Sequence, residues 1–293
     1  MYDIEALYEA KTVAHAIELM QLHPGAKIIA GGSDVLVQLR EGKYAGCELV
    51  SLQKLNELRG VALQPNGSLR IGPLTSFSHI TKDPVIQKYI GVLGEAVDTA
   101  GGPQLRNIAT IGGNICNGVT SADSASTLVA WEAVVEYTGP GGTRTLPIEQ
   151  HYIKAGTVAL QPGEMLTAIY IPKESYENCC GHYIKYAMRN AMDIATLGCS
   201  VNVRLSADKK RIDRMRIGYG VAGPVPMRAH GAEAAANGQP VSGQVVAAAA
   251  KAALQDVNPR TSWRATKEVR LQLVEELAKR ALTKAIELAG GTL

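Results

Sequence analysis

Between residues 11 and 22 the apolar side chains Val13, Ala16, Ile17 and Met20 recur at helical spacing, and His23-Pro24-Gly25 ends the pattern. A short apolar run from Lys27 to Ala30 follows and reads as a strand. Gly31 and Gly32 close it, Ser33 and Asp34 are favourable helix N-caps, and Val35, Leu36 and Leu39 restart the helical spacing. This unit is predicted to end near residue 58. From Gly60 the texture changes, because VALQPNGSLRIG is two β-prone runs around Asn66-Gly67, a dipeptide suited to a two-residue hairpin turn. Residues 83–101 read as a helical segment. NIATIGGNICNG, TLVAWEAVVEYTG, TRTLPI and MLTAIYIP then complete a second unit ending near Pro172. In the remainder, HYIKYAMR, TLGCSVNVRLSA and RMRIGYGVAG alternate β-prone runs with turn signals, which predicts a small antiparallel sheet. Two helices follow, GQVVAAAAKAALQDV and KEVRLQLVEELAKRALTKAIELAG, the second with Glu275 and Glu276 placed ahead of Lys279 and Arg280 in the favourable order and Gly290 as a stop. The fold class is α+β, with expected domains 1–58, 59–176 and 177–293.

Composition narrows the function classes. The chain has 293 residues, 46% hydrophobic and 19% charged, so it should be globular and large enough for two or three small domains. Its net charge is only +3 and the basic residues are scattered, which leaves no phosphate-tracking surface and no nucleic-acid partner. The one dense cluster, DKKRIDRMR at 208–216, reads as a solvated strand or turn. No run approaches the roughly 18 apolar residues that span a bilayer, and acids stand near the N-terminus where a signal peptide would be basic; no membrane contact and a cytoplasmic location are expected. The five cysteines are odd in number and contain no C-x-x-C pair, which argues against a disulfide framework, a zinc knuckle or an iron–sulfur cluster in this chain. No metal ligand is assigned. No Ser/His/Asp order, H-E-x-x-H or Walker lysine is present, so hydrolase and NTPase chemistry fall away and no catalytic residue is named.

The chemistry is concentrated at two double glycines. A strand that ends in Gly31-Gly32 and feeds a helix leaves backbone N–H groups unpaired, and the missing Cβ lets an anion such as phosphate approach them. Ser33 adds a hydroxyl donor, while Asp34 could stiffen the loop by accepting from its amides. Gly-Gly also serves ordinary tight turns. The second stretch, Thr110 to Asn114 with Gly112-Gly113, again offers small residues and amides, and Asn117, Thr120, Ser121 and Asp123 add side chains suited to ribose or ribityl hydroxyls. Asn117 and Asp123 could equally be local turn or cap residues.

The ordered pair KIIAGGSDVL and ATIGGNICNG…TSAD, continued in KYAMRNAMDIATLG (185–198) and PRTSWRATKEVR (259–270), resembles the FAD-binding medium subunit of the molybdenum hydroxylases. The likeness spans the chain and is nearest to the separate FAD subunit of bacterial three-subunit xanthine dehydrogenases. It implies a two-part FAD-binding fold of the vanillyl-alcohol oxidase type plus a C-terminal domain of small antiparallel sheet and helices. It assigns Lys27, Ala30, Gly31, Gly32, Ser33, Asp34 and Val35 to one side of FAD, and Thr110, Gly113, Asn114, Thr120 and Asp123 to diphosphate and ribityl groups. Leu166 is implied against the isoalloxazine, Lys185 near its pyrimidine edge, and Asp193 near the flavin and the acceptor.

The resemblance also implies partners: a large molybdopterin subunit that hydroxylates substrate, a small subunit with two [2Fe–2S] clusters, and NAD⁺ as acceptor, in a doubled heterotrimer. Two departures stand out. Ala100 and Gly101 occupy the place where some relatives flank the flavin with an aromatic ring, and a cysteine-rich insertion found in some relatives is absent. Cys116 reads as a small buried thiol. A self-sufficient flavoenzyme would need its own acid–base constellation, which the third domain does not display. A scaffold that has lost FAD is the other alternative.

Overall fold

The computed structural model of the protein describes residues 2–293. Strand β1 (Ile4–Glu9), helix α1 (Val13–Leu22), β2 (Lys27–Ile29), α2 (Val35–Arg40) and β3 (Cys47–Ser51) build a parallel sheet ordered β1-β3-β2. Thr12 caps α1 by accepting from the His15 amide, and Ala16, Leu19 and Met20 pack on Val50 and Leu52. Met165 reaches into this core from the second unit. The sequence reading placed no strand at 4–9, where Ile4 and Leu7 are exposed and the alternation is weak.

The second unit runs through β4 (Val61–Leu63), β5 (Leu69–Ile71), α3 (Phe77–Lys82), α4 (Pro84–Tyr89), α5 (Gly91–Asp98), α6 (Pro103–Ile108), α7 (Ile111–Cys116) and α8 (Asp123–Ala130). It continues with β6 (Val134–Gly139), β7 (Gly142–Pro147), the short pair β8 (Tyr152–Lys154) and β9 (Thr157–Val158), and β10 (Met165–Ile171). The main sheet is antiparallel, ordered β4-β5-β10-β6-β7. Two expectations are corrected here. The β4–β5 connection is a three-residue loop in which Gly67, at φ 83°, donates to Gln64 and Gln64 donates to Ser68, so the turn centres on Pro65-Asn66. The helical segment at 83–101 is two helices. Asp83 caps the first by accepting from the Val85 and Ile86 amides, and Ile90 leaves helical geometry before Gly91 starts the second.

Helix α9 (Lys173–Tyr176) leads to the antiparallel sheet β11 (Cys180–Tyr186), β12 (Leu197–Leu205), β13 (Ile212–Gly220) and β14 (Met227–Arg228). Helices α10 (His230–Ala236), α11 (Gly243–Ala253) and α12 (Lys267–Leu288) cover it, with Ala249, Ala250 and Ala253 buried at close helix contacts. Gly290 follows α12 with φ 86°, and the Glu275–Lys279 and Glu276–Arg280 pairs form on its surface.

The second and third units share α8, all eight residues of which are buried. Glycine makes that possible: a Cβ on Gly181 would lie 1.9 Å from the Trp131 ring, and one on Gly218 2.2 Å from the Ser126 carbonyl. The basic cluster is the expected solvated turn at 208–211, where the residues are exposed, but not along the strand that follows. Arg214 and Arg216 fold back, half-buried, onto Glu132 at 2.5 and 3.0 Å, and Arg228 joins them at 3.2 Å. No helix among the described residues is long and apolar enough to cross a membrane.

Candidate functional site

A cleft of about 900 Å³ runs between the end of β2 and the start of α7 and is lined by residues from all three units. Its first wall is the loop Ala30–Val35. The amides of Gly31, Gly32, Ser33, Asp34 and Val35 meet no acceptor among the described residues. Such a run of N–H groups at the carboxyl end of a parallel strand is a ready anion cradle. Gly32 holds φ 77°, which an L-residue adopts only with strain. Gly31 has a different reason to lack a side chain, because a Cβ there would lie 1.9 Å from the Ile108 carbonyl oxygen. The Asp34 carboxylate accepts from the side-chain amide of Gln38, not from loop amides as anticipated.

The second double glycine is not the first one's equivalent. Its amides are already paired: Ile111 donates to Thr75, Gly112 to Pro73 at 2.8 Å, Gly113 to the Thr110 hydroxyl and Asn114 to the Thr110 carbonyl. A Cβ on Gly112 would lie 2.5 Å from Pro73, so this glycine serves packing. What this wall offers a ligand is side chains, those of Thr110, Asn114, Asn117 and Ser121. The Asn114 carbonyl accepts from Ser124 at 2.6 Å, which orients its NH₂ as a donor.

A buried polar seam supports α7 from behind. His151, fully buried, donates from Nε2 to the Ile115 carbonyl at 3.1 Å, and its Nδ1 accepts from the Tyr137 hydroxyl. Burial lowers the His151 pKa to about 4 and pushes the nearby Cys116 thiol up to about 12, so both are neutral. Between pH 6.5 and about 4 the unfolded chain binds a proton that native His151 does not. Stability from this group is therefore complete above pH 6.5 and is lost as pH falls, by up to about 3 kcal/mol. Urea unfolding at pH 7 and pH 5 is expected to show the decline, and His151→Gln, which keeps a donor for Ile115, should flatten it. An unchanged slope in the variant would place the titration elsewhere.

At the opposite end Asp123, the first residue of α8, accepts from Lys185 Nζ and from the Tyr183 hydroxyl, both at 3.0 Å. Burial pushes the Asp123 carboxyl up, and the Lys185 ammonium and Tyr183 hydroxyl pull it partway back. Lys185 also donates to the carbonyls of Thr99 at 3.0 Å and Asp193 at 2.9 Å, so all three ammonium protons have acceptors. The Asp193 carboxylate is held by the Arg189 and Ile194 amides, which shapes the loop 187–195 at the cleft rim.

Thirteen of the fifteen residues named from the sequence line this cleft: Lys27, Ala30, Gly31, Gly32, Ser33, Asp34, Val35, Thr110, Gly113, Asn114, Asp123, Leu166 and Asp193. Lys185 and Thr120 do not. Lys185 stands behind Asp123, and the Thr120 carbonyl turns to accept from Val221. Ala100 and Gly101 line the cleft, and its aromatic rings are those of Tyr44 and Phe77. Tyr44, with Lys27 Nζ 5.5 Å from its ring centroid, went unnamed because it lies in a connection with no motif around it. No group of three His, Cys, Asp or Glu side chains placed to hold a metal ion occurs among the described residues.

Comparison with known proteins gives this geometry a context. Residues 2–174 match the FAD binding domain in molybdopterin dehydrogenase, and residues 182–285 match the CO dehydrogenase flavoprotein C-terminal domain. The xanthine dehydrogenase FAD-binding subunit of Escherichia coli O157:H7 is 42% identical over 293 residues, covering 100% of both chains. The carbon monoxide dehydrogenase medium chain of Hydrogenophaga pseudoflava is 28% identical over 276 residues, 94% of each chain. A solved structure of carbon monoxide dehydrogenase from that organism superposes with a TM-score of 0.92 at 28% identity, covering 99% of both chains.

Proposed function

The chain belongs to the FAD-binding subunits of the molybdenum hydroxylases, and from that premise we propose that it is the electron-transfer flavoprotein of a xanthine dehydrogenase-like complex. In this reading a large molybdopterin subunit hydroxylates a purine and a small subunit with two [2Fe–2S] clusters delivers the electrons. NAD⁺ receives them, within a doubled heterotrimer. One observation carries the assignment to this chain: five consecutive unpaired amides, at residues 31–35, in the loop that lines a cleft of about 900 Å³. The end-to-end 42% identity supports the xanthine dehydrogenase branch of the family.

Within the cleft, Gly31 to Val35 would hold the pyrophosphate through backbone N–H groups, with Ala30 lining the same wall and Lys27 and Tyr44 flanking it. Thr110, Gly113 and Asn114 would border the ribityl chain, and Leu166 would support the ring. Asp123 and Asp193, both tied to Lys185, fix the rim. The Lys185 charge is largely neutralised by Asp123, so it acts on the flavin more weakly than a free ammonium in the same place. FAD, when bound, supplies the step between single-electron delivery and hydride transfer; the chain's part is to position it and set its surroundings.

The chain, reconstituted with FAD and desalted, is expected to keep its flavin absorption and to bleach on anaerobic titration with NADH. Retained flavin that dithionite reduces but NADH does not would overturn NAD⁺ as the acceptor and leave the flavoprotein assignment standing. A folded chain that retains no flavin would count against the whole reading.

A further inference from the structure

The charged side chains lining the cleft have the wrong balance for an anionic ligand, since Lys27 stands against Asp34, Asp123, Glu164 and Asp193. A diphosphate brings further negative charge, and like charges repel more strongly in a cleft than in open water. The compensating cations stand behind the walls. Lys185 lies 3.0 Å from Asp123, Arg189 3.5 Å from Asp193 and Arg144 2.7 Å from Glu164. Glu164 borders both the cleft and a smaller hollow of about 270 Å³, and Arg144 lines only the smaller one.

The Arg144 pair is bidentate. Nε and Nη2 donate to the two Glu164 oxygens, each at 2.7 Å, and Nη2 also donates to the Ala159 carbonyl at 2.7 Å. One Glu164 oxygen accepts from the Gln161 amide at 2.8 Å, and the Glu164 amide donates to the Gln161 carbonyl at 3.0 Å, closing a turn through Pro162 and Gly163, the latter at φ 79°. That turn leads straight into β10. In the sheet Leu166 lies opposite Tyr137, and Tyr137 opposite Arg144, so the three stand in one row across β10, β6 and β7. The guanidinium sits 4.9 Å from the Tyr137 ring centroid. Arg144 holds the Glu164 carboxyl below its ordinary value, so the group is ionised at neutral pH.

We propose that Arg144 is a positioning residue for electron transfer: by gripping both oxygens of Glu164 it offsets the carboxylate charge that borders the cleft and fixes the turn that delivers Leu166, which makes a flavin bound there easier to reduce. The inference rests on the reading of the cleft as a flavin site. Flavin gains negative charge on reduction, so an uncompensated carboxylate on the wall disfavours the reduced form, and a carboxylate held by a guanidinium does so much less. Arg144 acts only through Glu164 and Tyr137, since it lines the smaller hollow and not the cleft.

The test is the midpoint potential of FAD bound to the full-length chain, measured beside FAD affinity, with circular dichroism as the control for folding. Arg144→Met is expected to bind FAD about tenfold more weakly and to shift the potential negative by about 30 mV, the equivalent of a tenfold change in a two-electron equilibrium. Glu164→Gln removes the carboxylate, leaves the guanidinium and disturbs the same turn, yet it should shift the potential the opposite way. Loosened packing alone would move both variants in one direction. The double variant Arg144→Met/Glu164→Gln should return to the parental potential, and Arg144→Lys, which keeps the charge without the fork, should stay near it. Where Arg144→Met fails to fold, the sign of the Glu164→Gln shift decides. Single variants that shift together, or a Glu164→Gln chain that does not shift, overturn the role of the pair and leave the flavin site standing. A folded parental chain that retains no flavin overturns the flavin reading itself.

Discussion

Gly31→Ala is expected to strip the purified chain of most of its flavin, with a loss of affinity of about tenfold to hundredfold, or roughly 1.4–2.7 kcal/mol. The added methyl group would meet backbone atoms, the Ile108 oxygen at 1.9 Å and its carbonyl carbon at 2.8 Å, and backbone cannot swing aside as a flexible side chain can. The loop must withdraw from Ile108, which separates the two walls of the cleft and turns five amides away from their common target. Two controls isolate the cause. Gly25→Ala, with nothing within 4 Å, should be silent. Gly113→Ala, which meets only the Thr110 hydroxyl at 3.0 Å, should have an intermediate effect. Flavin-to-protein absorbance after desalting, with circular dichroism to confirm folding, gives the readout. Full flavin in a folded Gly31→Ala chain would sink the account of how the walls are spaced.

Lys185→Met is expected to destabilise the protein by about 3–5 kcal/mol, because it leaves a buried carboxylate without its cation. Lys185 and Asp123 have side chains only 8% and 9% exposed, and their contact joins β11 to the start of α8 across the second and third units. The double variant Lys185→Met/Asp123→Asn should recover most of the loss, a non-additivity that packing alone does not produce. The pH dependence follows from Asp123. Its pKa is raised in the folded state, so above the ordinary carboxylate value the native chain holds a proton the unfolded chain has released, and stability falls as pH rises through that window. Removing the ammonium raises the pKa further and carries the decline to higher pH. Urea unfolding from pH 5 to pH 8 should show a steeper fall in Lys185→Met than in the parent, and none from this site once Asp123 is Asn. Equal stability of the single and double variants would remove the ion pair from the explanation.

Some features were legible because they depend on neighbours along the chain. The α1 periodicity, the four-apart charge pairs and Gly290 stop of α12, and the strand that ends in Gly31-Gly32 are set by residues within a turn or two of one another. The hairpin at 61–71 was read correctly as a hairpin, but its turn was misplaced, since Pro65 fixes the first turn residue and moves Gly67 to the left-handed position after it. The break at Ile90 was missed because the capping of a separate helix by Asp83 and the start at Gly91 depend on how each short helix packs.

The sequence by itself determined the alternation of helices and strands, the poverty of catalytic clusters, and the two loops around which a dinucleotide reading could form. Only the tertiary structure decided what each glycine is for. Gly32 relieves backbone strain, Gly31 admits the Ile108 carbonyl, Gly112 admits Pro73, and of the two double glycines only the first has unpaired backbone amides. It also decided that Lys185 faces Asp123, Thr99 and Asp193, and that Arg214 and Arg216 fold onto Glu132. The physical reason is common to all of them. Propensity and periodicity are properties of adjacent residues, whereas close backbone approach and charge pairing join residues far apart in the chain, brought together only when the three sheets and α8 pack.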